Sequence, residues 1–255
     1  MDLRVLGCHG GESPKHRTTA FLLDERLAID AGALTSGLGL ADQARLEAVL
    51  VSHAHLDHVR DLATIADNRC QLDCAPLTVA ATAKTIRHLR RHFFNDVLWP
   101  DFSTIPTSHG PTVRYQEIPV DRPVDLLGYR IRAVPVHHTI DAVGFVIDDG
   151  AGAIGFSGDT GPTQRLWEVL AEQPNLKALI MEVSFPNREQ KVAVASGHHT
   201  PRSMLADLQK YGRPKDLPTL LFHIKPPFQA AVEKECARLK GVSLQVLEID
   251  DQFIL

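Results

Sequence analysis

Short apolar runs alternate with amphipathic stretches along the whole chain. Leu3–Leu6, Thr19–Leu23 and Leu27–Ile29 read as strands, the last two split by a turn at Asp24-Glu25-Arg26. Ala48–Ser52 has the composition of a buried strand. Leu77–Ala80, Tyr129–Val136, Val143–Ile147, Ala153–Phe156, Ala178–Val183, Thr219–His223 and Leu244–Glu248 follow the same pattern. Helical spacing covers Val59–Asp67, Thr82–His92, Pro162–Glu172, Pro201–Tyr211 and Phe228–Leu239, with Pro162 and Pro201 placed as first-turn prolines. The first third is rich in strand and the rest mixes strand with helix, a pattern that predicts sheets packed on each other with helices outside. No Pro/Gly linker, internal repeat or low-complexity segment divides the chain. Phe93–Thr112 is irregular and predicts a long surface loop, of the kind that commonly carries function.

A length of 255 residues suits one large domain or two small ones and is enough to bury a core. Apolar content of 44% and charged content of 23% fit a soluble globular protein. The net charge of −4 gives no basic footprint and argues against a long nucleic acid as partner. Met1–Gly7 has no basic-then-apolar signal region, and no apolar stretch is long enough to span a bilayer, so a cytoplasmic protein with no membrane partner is expected. Of the four cysteines, Cys70 and Cys74 have the spacing of half a metal clip. No second pair accompanies them, so ordinary packing is the expectation. The unusual count is 13 histidines, whose positions decide what they mean.

The informative segment is His53-Ala54-His55-Leu56-Asp57-His58, directly after the strand Val49–Ser52. A strand ending in a tight turn projects close-spaced side chains to one side. Three imidazoles and a carboxylate in six residues offer the mixed N and O ligands that suit Zn, Mn or Fe. Crowding so many titratable groups without a partner is costly, which disfavours a polar loop that holds histidines by chance.

His53-x-His55-x-Asp57-His58 resembles the defining motif of the metallo-β-lactamase superfamily. Four further segments resemble that superfamily's remaining motifs, in order. They are Leu27–Gly32, a strand ending in Asp30-x-Gly32; Val134–Thr139; Ser157-Gly158-Asp159-Thr160; and Leu221–Pro226 around His223. The resemblance implies an α+β fold, an αββα four-layer sandwich with two mixed sheets face to face and helices outside, as a single hydrolase domain over residues 1–255. It implies two divalent metal ions, Zn first and Mn or Fe as alternatives. His53, His55 and His138 would hold one ion, Asp57, His58 and His223 the other, and Asp159 would bridge them, while Asp30 braces the metal loop from behind. Neighbours on a strand point to opposite faces, so only one of His137 and His138 can serve. The spacing from His138 to Gly144-Phe145 resembles that of related nucleases and favours His138.

The match is closest to the class II cyclic nucleotide phosphodiesterases. It rests on Leu56 within the metal motif, Asn95–Phe102, Phe156–Gly161, Glu182–Asn187 and Ser196–Thr200. It departs where Arg60-Asp61 stand in place of a small residue and an apolar run. The implied reaction is hydrolysis of a 3′,5′-cyclic nucleotide, cyclic AMP or cyclic GMP, to the monophosphate by a hydroxide bridging the metals. Gly197-His198-His199-Thr200 also resembles the Gly-His-x-Thr element of ribonuclease Z. That likeness gives His198 the task of contacting the scissile phosphate and protonating the leaving oxygen. Glu182 then either orients His198 through a carboxylate–imidazole hydrogen bond or is a salt-bridged strand end, and Asp57 is counted with both the metal and the catalytic groups. Thr200 equally fits a helix cap before Pro201. Phe94, Trp99 and Phe102 are the expected substrate contacts, with Thr200, although Trp99 and Phe102 serve equally well as pins for the loop. His9, His16, His88, His92 and His109 are left out of the metal set. A homodimer is compatible with the resemblance. The alternatives are a ribonuclease Z-like tRNA 3′-end endonuclease, a thioester or lactone hydrolase, and a non-catalytic metal or nucleotide sensor. The missing basic Gly-rich arm disfavours the first, the unexplained Gly-His-His-Thr and Trp-Pro-Asp-Phe segments the second, and the complete ligand set the third.

Overall fold

The computed structural model describes residues 1–255. The strands are β1 (Asp2–Gly7), β2 (Ala20–Leu23), β3 (Leu27–Ile29), β4 (Ala48–Leu50), β5 (Leu77–Ala81), the small hairpin β6 (Pro106–Thr107) and β7 (Gly110–Pro111), β8 (Val113–Glu117), β9 (Pro123–Leu126), β10 (Tyr129–Pro135), β11 (Val143–Asp148), β12 (Ala153–Phe156), β13 (Leu176–Glu182), β14 (Pro218–Phe222), β15 (Ser243–Val246) and β16 (Gln252–Ile254). The helices are α1 (Leu34–Gly37), α2 (Leu40–Arg45), α3 (Leu56–Val59), α4 (Leu62–Gln71), α5 (Ala83–His92), α6 (Arg165–Ala171), α7 (Gln190–Ser196), α8 (Pro201–Leu208) and α9 (Gln229–Cys236). No helix is long and apolar enough to cross a membrane.

Two seven-stranded sheets form, in the orders β16-β1-β2-β3-β4-β5-β8 and β15-β14-β13-β12-β11-β10-β9. Each is antiparallel over one half and parallel over the other: β3, β4, β5 and β8 run parallel in the first, and β12 to β15 in the second. Period-two alternation sorts the side chains into layers. Leu3, Phe21, Ile29 and Leu50 of the first sheet meet Ile131, Phe145, Phe156 and Phe222 of the second in the central layer. Leu22, Ala28, Val49 and Val79 face outward onto α1, α4 and α5, and Val146, Leu179, Met181 and Leu221 onto α6, α8 and α9. Helix, sheet, sheet, helix is the expected four-layer α+β architecture. Strands buried on both faces are why these segments read as unbroken apolar runs.

The differences lie at the margins. The edge strands β8, β9 and β16 carry exposed polar positions and have no clean pattern. The short helices α1, α2 and α7 were also not predicted. Pro162 is not a first-turn proline, because α6 begins only at Arg165. The Thr163 amide instead donates to the Asp207 carboxylate at 3.1 Å, tying that segment to α8. Thr82 and Thr200 cap α5 and α8, and Pro201 does open its helix. The chain beyond α5 is irregular as far as the β6–β7 hairpin.

Phe156 is fully buried between the sheets and contacts Phe21, Phe145 and Phe222, with ring centroids 5.8, 6.4 and 5.2 Å away. Phe156→Ala is expected to destabilise the protein by about 3–5 kcal/mol through lost burial and the cavity left behind. A lowered urea midpoint with an unchanged slope would show it, and a shift worth under about 1 kcal/mol would count against a core that depends on this ring.

Candidate metal centre

The parallel strands of both sheets point their C-terminal ends at one rim of the sandwich, and the polar residues found there follow those ends. Asp30 follows β3, His53–His58 follow β4, Asp159 follows β12, Glu182 ends β13 and His223 follows β14. His138 comes from the turn after β10. The turn after β4 runs into α3, so His55, Asp57 and His58 come from a single tight bend.

These side chains form two adjoining groups. His53, His55 and His138 make the first, and Asp57, His58, Asp159 and His223 the second, with ligand atoms within 4.8 Å of one another in each. His55 Nδ1 lies 3.1 Å from both His53 Nε2 and His138 Nε2. Asp159 Oδ2 stands between the groups, 3.1 Å from His223 Nε2, 3.2 Å from His58 Nε2 and 3.8 Å from His53 Nε2. Asp57 Oδ2 is 3.4 Å from His223 Nε2. The rest of the protein aims these rings from behind. His58 Nδ1 donates to Asp30 Oδ2 at 2.7 Å, and His138 Nδ1 donates to the Gly197 carbonyl at 3.0 Å. His53 Nδ1 lies 3.0 Å from Ser52 Oγ, which donates to Asp30, and His223 Nδ1 lies 3.0 Å from Ser184 Oγ. Such outer hydrogen bonds fix ring orientation and tautomer.

The cluster fits metal ions. Burial lowers the basicity of His53, His55, His138 and His223, which favours the neutral form in which an imidazole can ligate a metal. Their inward nitrogens, His53 Nε2, His55 Nδ1 and His138 Nε2 among them, crowd together where a cation could accept their lone pairs. Burial opposes charge on Asp159, but the imidazoles of His223 and His58 outweigh it and hold the carboxyl well below the usual range. Its Oδ1 is buried with no hydrogen-bond partner, a costly state for a carboxylate oxygen unless a cation meets it. Burial also opposes charge on His58, yet Asp159 and Asp30 raise it well above its ordinary value. A cation at this position takes the place of that proton, so metal binding and protonation compete here.

His198 stands at the edge of both groups, its ring stacked on His223 at 5.1 Å and 21° and 5.0 Å from the His138 ring. Its Nδ1 donates to Glu182 Oε1 at 3.1 Å. Glu182 is fully buried and also accepts from the amides of Thr160 and His199. Burial pushes it up to about 7. His137 points away from the cluster and is exposed, while its neighbour His138 faces inward.

The anticipated substrate contacts sit elsewhere. Phe94 and Phe102 are 2% and 4% exposed and belong to the core beneath α5, and Trp99 packs against that core and donates its indole N–H to the Ala63 carbonyl at 3.1 Å. They pin the loop. Their sequence neighbours Phe93 and Leu98 face the open recess beside His55. Thr200 is buried and occupied as a cap, accepting from the Ser203 amide and donating to Gln190 Oε1. His9 and His16 pack edge to face and belong to neither donor group, and His109 is exposed. Cys70 and Cys74 are free thiols outside both groups. Ser184 was not anticipated. Its hydroxyl lies within 3.3 Å of Glu182 Oε2, His198 Nδ1 and His223 Nδ1. Ser184 lies within the Glu182–Asn187 segment that carries the resemblance, but nothing in that segment singles out its hydroxyl.

These features define the class. The chain belongs to the β-lactamase superfamily, whose family model, described as "Beta-lactamase superfamily domain", matches residues 29–224. Among curated proteins it is similar to a probable 3′,5′-cyclic-nucleotide phosphodiesterase of Yersinia pestis, at 28% identity over 90% of this chain and 79% of that one. A 3′,5′-cyclic-nucleotide phosphodiesterase of Aliivibrio fischeri is 26% identical over 98% and 88%. Ribonuclease Z of Mycobacterium marinum is 29% identical over 59% of this chain and 56% of its own. Among solved structures, unliganded yeast PDE1 shares the fold with a TM-score of 0.83 at 17% identity, covering 100% and 99% of the two chains.

Ser184→Ala is expected to cost about 1–3 kcal/mol, since it removes a shared partner from three buried polar groups. The ring signals of His198 and His223 should shift together in the NMR spectrum. Unchanged signals would remove Ser184 from the support of the centre.

Proposed function

We propose that this protein is a metal-dependent phosphodiesterase that opens a 3′,5′-cyclic nucleotide, cyclic AMP or cyclic GMP, to the nucleoside monophosphate. The observation that carries the reading is the pair of adjoining donor groups with the Asp159 carboxylate at the junction between them. The similarity to the two cyclic-nucleotide phosphodiesterases, extending over most of both chains, supports the substrate class.

In this reading His53, His55 and His138 would hold one divalent ion, Asp57, His58 and His223 the other, with Asp159 common to both. Imidazole-rich donors with carboxylates suit Zn first, with Mn or Fe as alternatives. When bound, the ions supply an activated water and countercharge for the phosphate oxygens. The water oxygen bonds to phosphorus, the bond from phosphorus to the ribose 3′ oxygen breaks, and that oxygen must gain a proton. His198 is placed to give it. Its Nδ1 is committed to Glu182, which leaves Nε2 for the leaving oxygen. Burial lowers the basicity of this ring, while Asp159 acts in the opposite direction. An arriving phosphate anion adds negative charge and favours the protonated ring that a general acid requires.

A second reading, a tRNA 3′-end endonuclease, is favoured by one surface feature. Arg87 and Arg91, one helical turn apart on α5, are exposed and form no ion pair, as a polyanion-binding face would present them. The shorter ribonuclease Z match supports it less than the full-length matches support the first reading.

The deciding experiment assays cyclic AMP, cyclic GMP and a tRNA precursor with Zn, Mn and Fe in turn. Chelator should abolish cyclic nucleotide hydrolysis, and metal should restore it. His55→Ala or Asp159→Ala should lose bound metal and turnover together. His198→Ala should keep its metal and lose about a hundredfold or more in turnover. Cleavage of the precursor without cyclic nucleotide turnover would replace the first reading by the second, and full activity in His198→Ala would remove it from the mechanism.

A further inference from the structure

A recess of about 350 Å³ opens directly beside the His and Asp cluster. One wall is the α5 row of His88 and His92, whose rings stack at 6.1 Å and 22°. Phe93, Leu98, Leu56 and Ile140 supply the apolar surface, and His55 belongs both to the recess and to the cluster. Not one lysine, arginine, aspartate or glutamate lines it. Leu56 and Leu98 are 62% and 60% exposed, so apolar surface stands open to water at its mouth.

The surroundings hold this surface rigid. The Phe94 ring packs edge-on against Phe93, centroids 5.0 Å apart, and is itself buried. Asn95 Oδ1 accepts from the amides of Val97 and Leu98, and the Asn95 and Asp96 amides donate to the Trp99 carbonyl, closing a tight turn that presents Leu98. Trp99 anchors that turn through its bond to Ala63. The buried aromatics are struts, and the residues next to them form the contact surface.

We propose that this recess is the base subsite, taking the flat, uncharged heterocycle of a nucleotide, with Phe93 and Leu98 as its apolar contacts and His88 and His92 as hydrogen-bonding partners for the ring edge. The proposal rests on the phosphodiesterase reading for the position of the phosphate. A phosphate held at the cluster places its attached sugar and base within reach of whatever adjoins His55, and the recess does so directly. An apolar wall with a few polar groups at its rim is the chemistry that takes a heterocycle from water. With no lysine or arginine in its lining and most of its surface apolar, the recess suits a heterocycle better than a second phosphate, so it favours one nucleotide unit over the continuing backbone of a chain.

The test is a titration of adenosine, which is not hydrolysed, into the zinc-loaded protein, followed by histidine ring NMR signals, with ribose as control. Saturable shifts of the His88 and His92 rings are expected with adenosine and not with ribose. Phe93→Ala and Leu98→Ala should each weaken adenosine binding about tenfold, the loss expected from removing an apolar contact. Leu98 is exposed, so its variant should retain the fold even if the Phe93 variant does not. With cyclic AMP as substrate, KM should rise in both variants much more than kcat falls. Adenosine that leaves both rings unmoved, or that binds Leu98→Ala and Phe93→Ala as tightly as the unaltered protein, overturns the subsite. Adenosine binding in the recess without turnover of any cyclic nucleotide would sink the proposed reaction and leave the subsite standing.

Discussion

The structure turns on one buried carboxylate. Asp159 is 1% exposed, is held in its charged form chiefly by the imidazoles of His223 and His58, and leaves one oxygen without a hydrogen bond. Moving such a group out of water costs several kcal/mol, which only close and well-placed partners offset. The cost is borne by the packing between the sheets. His53, His55, Asp57 and His58 hang from the first sheet, and His138, Asp159 and His223 from the second. Contacts near 3 Å across that junction require the two sheets to hold one relative position. The phenylalanine layer of Phe21, Phe145, Phe156 and Phe222 sets it. The hydrophobic core and the polar centre are therefore one problem, since an interior packed without gaps is what allows crowded lone pairs to persist.

Orientation is supplied separately from position. The hydrogen bonds behind the rings come from a carboxylate, a main-chain carbonyl and two hydroxyls. Two backbone outliers belong to the same arrangement. Asp30 has φ of 57° and His223 has φ of 68°, a region costing an ordinary residue about 1–2 kcal/mol. Both lie just past the end of a parallel strand, where the chain must turn sharply to direct a side chain along the rim. Asp30 recovers the cost through the Ser52 amide, the Ser52 hydroxyl and His58. The His223 amide donates to the Cys8 carbonyl at 2.6 Å. Strain retained at both places is the mark of positions defined by geometry more than by local preference.

What could be read in advance follows from physics. Strands such as β3, β12 and β14 are buried on both faces over most of their length, so their residues are mostly apolar and their limits fall within a residue or so of expectation. Edge strands β9 and β16 leave side chains in water and lose that signal. Three imidazoles in one six-residue turn are too costly to arise without use, which made His53–His58 legible, and the family resemblance supplied the distant partners. Ser184 was illegible because a serine at a strand end is common, and only the fold brings its hydroxyl to Glu182, His198 and His223. Burial of the loop aromatics was not legible in the pattern of an irregular segment. Phe94 and Trp99 are large enough to be the loop's buried supports, and a residue turned inward leaves its neighbour turned outward.

Sequence distance within the centre has a consequence for stability. The first four donors lie between positions 53 and 58, and a partly folded chain with only the first sheet could assemble them. His138, Asp159 and His223 become available only when the second sheet has formed and docked. With the proposed ion pair in place, both donor groups are complete in the native state alone, because Asp159 is common to them and belongs to the second sheet. Ligands that bind the native state and not the unfolded one stabilise it by RT ln(1 + [L]/Kd), about 4 kcal/mol at a thousand times Kd. The ions would then act as clamps between the sheets as well as reagents. The energy that would offset the buried charge of Asp159 would then also hold together the sandwich that buries it.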